Sequence, residues 1–483
     1  MTPPPDNDRA RPSAPAVPAG PDPRGSGDAP EDRAPVSVSA ALAAHVAHLQ
    51  LAHIPAPTLA RARLFLHDTL AVAWAGSDAP GCSEVHAMFA PQAEGATVWG
   101  HGTRLPAAEA AFVNAAFASA LDYDSLGRDA PVHVNIVVLP VALALAQATR
   151  ASGADLLCAL VAGCDLMCRI GASFTPPHRG FAYTSVVGAL GAAAAAARVL
   201  RLDATATRHA LGLAFLQAGG TQQANIEPTL AKRLLASFPA QAGILAARLA
   251  RQGLTAPAQI FEGECGLYAL YQPGDPARVL AALGTRFDSD ALSIKAYPSC
   301  GCNHTAIAGM IELAQRHDLQ PADVTAIEVT VSPYIDRIVG AVYDPAEDAQ
   351  VAAQFSIRYS LACALVRRRL GLAEIEAEAA RDPLILREAA KVRVVVDPTY
   401  TGTRGPIALR VTSRRHGTLA LRVEHVPGSD AAPLSDAAIA AKFAECFGRG
   451  VRPLATAQQR TLAARIETLE QLADANALLP DAA

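Results

Sequence analysis

With 483 residues, 51% of them hydrophobic, the chain is long enough to bury more than one sizeable core and does not have the composition of a disordered polypeptide. A net charge of -4 and an aromatic content of 5% offer a nucleic-acid backbone no basic surface, so nucleic-acid binding is set aside. The apolar runs over 134–148 and 185–197 end at arginines and are too short to span a bilayer, and the N-terminus carries no continuous apolar signal segment; the expectation is a soluble, cytoplasmic protein without membrane partners.

Residues 1–36 are rich in Pro, Asp, Gly and Ala with almost nothing to bury, which predicts a disordered tail. From residue 37 the spacing of apolar residues is helical, with segments at 39–51, 57–75, 106–121, 134–149, 153–173, 185–200, 204–219, 230–252 and 275–283. The run VVGALGAAAAAARV within the sixth of these puts small residues on every face, so a neighbouring helix can approach closely. Beyond Lys295 the pattern changes: strand-like runs at 326–331, 392–396, 407–411 and 418–423 alternate with helices at 305–317, 349–367 and 383–390. Helical spacing returns over 434–446 and 456–478. The fold class is therefore mainly α with a second α+β domain: a helical domain beginning at 37–284, a smaller α+β lid domain at 285–425, and C-terminal helices at 426–483 that complete the helical domain.

The densest polar stretch is KAYPSCGCNH, residues 295–304, where Pro298 and Gly301 bar helix and the apolar spacing after His304 opens one. Its polar groups gather at a helix N-terminus, where unpaired N–H groups favour an anion. Lys295 gains weight from a count: of 41 basic residues only four are lysine (232, 295, 391 and 442) and the other 37 are arginine. A composition so far towards arginine keeps lysine where a compact ammonium does something a guanidinium cannot. Nine cysteines, an odd number in mostly apolar helical context, read as reduced thiols. Cys300-x-Cys302-x-His304 lacks a fourth ligand at plausible spacing, so no metal site is expected.

Three further clusters lie in the helical half. LDYDSLGRDAPVHVN, residues 121–135, places three carboxylates and His133 in a loop more polar than a connector needs. TQQANIE, running into Lys232 and Arg233, sets amides beside two cations, and PPHRGFAYTS, residues 176–185, brings His178 and Tyr183 to a helix start.

The order LDYD…H…LPVALALA, GFAYTSVVGALGAAAAAARVL, AKRLLASFPAQAGILAARLARQGLTAP with EGECGLY, KAYPSCGCNHTAI, AQFSIRYSLACAL and PLSDAAIAAKF resembles the MmgE/PrpD family over about residues 37–470. That family includes 2-methylcitrate dehydratase, cis-aconitate decarboxylase and iminodisuccinate epimerase. The resemblance implies a helical domain with an inserted α+β lid, a cleft between them, a homodimer, and chemistry on small carboxylic acids without metal or organic cofactor. It matches the family's catalytic positions to His133, Lys232, Lys295 and Asp122, with Asp122 orienting His133, and a cleft tyrosine of the lid to Tyr334. Cys300 stands where some members have a histidine. Two family histidines are replaced, by Ala182 and by Leu235. Tyr183, His304 and Arg233 complete the expected substrate wall.

The chemistry expected of such residues begins next to a carboxylate. Removing a proton there, or losing CO₂, places negative charge on carboxylate oxygens, which pre-placed lysines stabilise while a histidine moves the proton. The expected function is a cofactor-independent lyase, a dehydratase or decarboxylase acting on a small polycarboxylate or hydroxy acid. The alternatives are an isomerase or epimerase using the same proton chemistry, and a catalytically silent member kept for binding.

Overall fold

The structure, a computed structural model, describes residues 37–480 apart from Pro177, Ala346 and Glu347. The expected tail over 1–36 lies outside the described residues. A large, mostly helical region and a smaller mixed α+β region are present, as the periodicity predicts.

The helical region is built around segments apolar on all sides. Ala107–Ala120, Asn135–Thr149, Gly153–Ser173 and Tyr183–Val199 are buried almost throughout, which marks helices surrounded by other helices. Gly153–Ser173 is long and apolar enough to cross a bilayer, and 94% of its apolar stretch is covered by the rest of the chain. The expected close approach is between this helix and Tyr183–Val199: a Cβ on Gly191 would stand 2.3 Å from Met167 Cγ and 3.0 Å from the Gly163 carbonyl oxygen. The helix Asp436–Phe447 packs on Ala56–Gly76 through the His67–Phe443 ring pair and a buried Lys442–Asp68 ion pair at 2.6 Å.

The α+β region holds a four-stranded sheet. Numbering strands from the short hairpin β1 (Ala96–Thr97) and β2 (Arg104–Leu105), the sheet comprises β3 (Val324–Val331), β4 (Val392–Val396), β5 (Ile407–Ser413) and β6 (Gly417–Val423) in the order β4-β3-β5-β6. β3 and β4 are parallel; the other two pairings are antiparallel. Alternating burial along β5 gives the sheet one inner face, and the helix His304–Arg316 lies over it, with Gly309 against Leu409 and Val423.

Two expected helices are broken, and both breaks shape the site. The segment 230–252 divides into a 3₁₀ turn, Leu230–Leu235, and a helix, Ser237–Arg251. Pro239 is the reason: it has no N–H to donate and is tolerated only in a first turn. The segment 349–367 divides into Ala349–Gln354 and Ile357–Arg367, the second capped by Ser356 through the Tyr359 N–H at 3.1 Å. The Gln354 carbonyl, freed from its helix, accepts from Cys300 N (3.0 Å), Ser299 Oγ (2.9 Å) and Asn303 Nδ2 (3.2 Å), which fastens the 299–303 turn. The last predicted helix ends at Glu467 rather than 478, and Cys82–Ala87 and Pro333–Val339 are short helices the periodicity does not reveal.

Candidate functional site

A cavity of about 80 Å³ lies where the two regions meet. The helical region contributes Asp122, His133 and Lys232 to its wall, and the α+β region contributes Cys300, Tyr334 and Arg404.

Asp122 sits just past the helix Ala107–Ala120 with φ of 48°, a left-handed conformation that Asp tolerates better than most residues, and the chain turns there into the loop that carries Asp124 and His133. The loop is joined to the approach to Lys295 by reciprocal backbone bonds between Leu126 and Ser293, both 2.9 Å. That pairing brings Lys295 beneath Asp122. Lys295 Nζ donates to the Asp122 carbonyl at 2.6 Å and to Oδ2 at 2.9 Å, and lies 3.7 Å from Asp124 Oδ1. Lys232, delivered by the 3₁₀ turn, donates to Asp122 Oδ1 and to the Ser119 carbonyl (3.2 Å). Asp124 Oδ2 then reaches His133 Nδ1 at 2.7 Å. The result is a continuous chain of alternating charge, Lys232–Asp122–Lys295–Asp124–His133.

Burial opposes ionisation of both aspartates, yet the ammoniums of Lys232 and Lys295 hold the Asp122 carboxyl below the ordinary range, and His133 with Lys295 does the same for Asp124. Lys295 follows the same logic in reverse: burial pulls its pKa down, and Asp122 and Asp124 more than restore it, so it stays charged. An ionised Asp124 can only accept, so His133 donates to it from Nδ1–H. The His133 side chain is 26% exposed, lines the cavity, and its backbone N–H is held by Thr184 Oγ1 at 3.0 Å.

Several expected roles change. Asp124, not Asp122, orients His133; Asp122 is occupied by the two lysines. Lys295 has no exposed surface, is absent from the cavity wall and has its ammonium between Asp122 and Asp124. His304 is also fully buried away from the cavity, with Nε2 on the Ser299 carbonyl (3.2 Å) and its pKa lowered to about 3 by burial and the nearby Lys295 charge. Arg233 points to the Pro80 carbonyl and to Gln350 Oε1 (2.6 Å), outside the wall.

Tyr183, Tyr334 and Cys300 do line the cavity. Burial raises the phenol pKa of Tyr183 to about 12 and that of Tyr334 further, so both remain protonated donors. The Tyr183 hydroxyl is engaged by His178 Nδ1 and Gln272, and His178 is half-buried and lies edge-on to both Tyr183 and Tyr334. The neighbouring Cys302 thiol outweighs burial and lowers the Cys300 pKa, an influence invisible in the sequence. Ala182 and Leu235, which the resemblance sets against two family histidines, both line the cavity. Among the described residues no group of three or more His, Cys, Asp or Glu side chains is placed to share a metal ion.

The sequence reading missed Asp124, Phe355 and Arg404. Asp124 was in view as the second aspartate of LDYD, and only geometry chooses between the two. Phe355 comes from the unforeseen helix break and lies 5.5 Å from Lys232 Nζ across its ring face. Arg404 is one of 37 arginines, in a TGTRGP turn with no periodicity to single it out.

The model of the MmgE/PrpD N-terminal domain matches residues 40–280, and that of the MmgE/PrpD C-terminal domain matches residues 297–468. Among curated proteins, a cis-aconitate decarboxylase of Aspergillus terreus is 28% identical over 71% of this chain and 75% of its own length. The human cis-aconitate decarboxylase is 30% identical over 63% of this chain and 64% of its own, and the Mus musculus protein of that name is 27% identical over 92% of each.

Proposed function

The chain belongs to the MmgE/PrpD family, and from that premise we propose that it is a lyase, a decarboxylase or dehydratase acting on a small polycarboxylate, with His133 as the proton-transfer group. The observation that carries the reading is the charge chain ending at His133: an imidazole whose Nδ1 is committed to a buried carboxylate lines the same cavity as an ammonium with an unused N–H. Lys232 commits two of its three donors to Asp122 and Ser119, and the third is available to a carboxylate oxygen.

In the decarboxylase form, the bond to a departing CO₂ leaves its electron pair on the substrate carbon, the charge spreads onto a neighbouring carboxylate held by Lys232, and imidazolium His133 returns a proton to carbon. In the dehydratase form, His133 Nε2 takes the proton from carbon next to the carboxylate while the hydroxyl leaves, protonated, as water. Tyr334, kept neutral by burial, is a donor suited to that oxygen. The names of the relatives favour the first form.

The test is to incubate the purified protein with small polycarboxylates and follow CO₂ release, water loss and deuterium uptake from solvent. Elimination that disappears in His133→Ala is the expected result. Deuterium uptake without elimination would assign an isomerase instead, and silence on every polycarboxylate would remove the lyase reading.

A further inference from the structure

We propose that Arg404 receives a carboxylate of the substrate, so that the substrate class is one with at least two carboxylates, one held by Lys232 and one by Arg404. The inference rests on the lyase reading above and deepens it.

A count of charge around the cavity leads to it. Asp122 and Asp124 on one side are balanced by Lys232 and Lys295, each within ion-pair distance of its partner. The remaining carboxylate of the 121–135 loop, Asp129, is paired with Arg128 at 2.8 Å. Arg404 lines the cavity, and among the described residues no carboxylate forms an ion pair with it. Its guanidinium donates only to backbone carbonyls, those of Gly127 and Ala130 (3.1 Å). Two of its five N–H groups are thus engaged. Burial lowers its pKa, as expected for a cation withdrawn from water without a counter-ion.

The wall is shaped to admit this side chain. A Cβ on Gly301 would stand 3.3 Å from Arg404 Cδ and 3.0 Å from Leu126 Cδ1, so the turn after Cys300 must carry glycine, or the arginine must shift. Arg404 is thereby laid along the cavity and fixed to the loop that bears Asp124 and His133. Its planar fork matches a carboxylate in two parallel hydrogen bonds, which a lysine cannot do. Lys232 comes from the helical region and Arg404 from the α+β region, so a dicarboxylate bound to both would bridge the two across the cavity.

The probe is glutarate, a saturated dicarboxylate with no hydroxyl to lose and no carboxylate activated for release, compared by calorimetry with its monoamide, which keeps one carboxylate. Wild type is expected to bind the acid about 10²-fold more tightly than the amide, and Arg404→Gln to bring the two within about threefold, the scale for removing one partner of a desolvated ion pair. Because Arg404 also braces the loop, Arg404→Lys is measured beside it: charge without the fork should leave a preference of about tenfold. Should the glutamine variant fail to fold, the lysine variant decides. An unchanged preference for the acid in a folded variant, or no binding of glutarate to wild type, overturns the assignment.

Turnover separates this inference from the reading beneath it. Arg404-dependent binding without turnover of any polycarboxylate removes the lyase and leaves Arg404 in place. Turnover that falls equally for acid and amide substrates in Arg404→Gln keeps the lyase and reduces Arg404 to a brace.

Discussion

Asp124 and His133 are joined at 2.7 Å, Oδ2 to Nδ1, and the aspartate that makes this contact is entirely buried. Asp122, two residues earlier, faces the cavity and never reaches the imidazole; it neutralises Lys232 and Lys295 instead. The two carboxylates of LDYD therefore have separable jobs, and each can be removed without changing shape.

Asp124→Asn should lower kcat on whichever acid is turned over by on the order of 10²-fold or more, because an amide no longer dictates which nitrogen of His133 carries the proton. Asp122→Asn should act mainly on KM and on folding. Equal effects of the two substitutions on kcat and on KM would refute the division.

Lys232 and Lys295 should part company when each is removed. Lys232→Ala is expected to cost about 2–4 kcal/mol of transition-state stabilisation, as for the loss of one electrostatic donor, with modest change in stability. Lys295→Met leaves Asp122 and Asp124 buried with too little positive charge and should destabilise by about 3–5 kcal/mol in urea titration at pH 7. The deficit should narrow as pH falls and the carboxylates protonate. Activity lost in Lys295→Met with stability intact would return that lysine to the substrate.

Restoring an imidazole at the vacated position is the third test. Ala182 lines the cavity beside Tyr183, whose hydroxyl is turned to His178 and Gln272. A methyl group in place of an imidazole removes a donor and acceptor and adds room, so the protein should turn over cis-aconitate and 2-methylcitrate poorly. Ala182→His should raise turnover of one of them, and His133→Ala should abolish what the unmodified protein does. Rapid turnover of either acid by the unmodified protein would show that the substitution leaves the chemistry unchanged.

Three histidines make the fold acid-sensitive. Burial lowers the pKa of His45 and His67 to about 4 and that of His304 to about 3, from an ordinary 6.5. Below pH 6.5 the unfolded chain takes up protons that the native state refuses, so the stability due to each neutral histidine is complete above that pH. It falls by up to about 1.4 kcal/mol per pH unit per histidine towards the folded value. Urea midpoints should drop from pH 7 to pH 5, and His304→Gln should flatten the slope. An unchanged slope in that variant would mean His304 is protonated in the native state.

The sequence by itself determined the helical and α+β regions, since apolar spacing reports which faces must leave water whatever the partner. It also determined that lysine is reserved. In the structure all four lysines are ion-paired, three of them to buried aspartates and Lys391 to Glu388, so the scarcity marks carboxylates that need a compact cation inside the protein, and only Lys232 also lines the cavity. Only the tertiary structure decided which of two alternating aspartates meets His133, that Lys295 and His304 stand behind the wall, and that Arg404, 271 positions from His133, lies on it. Spacing along a chain records what a residue's own helix or strand buries. Which charge neutralises which is a property of distances between segments remote in sequence, and here those distances were set by a broken helix at Phe355, a proline-started helix at Pro239 and the Leu126–Ser293 pairing.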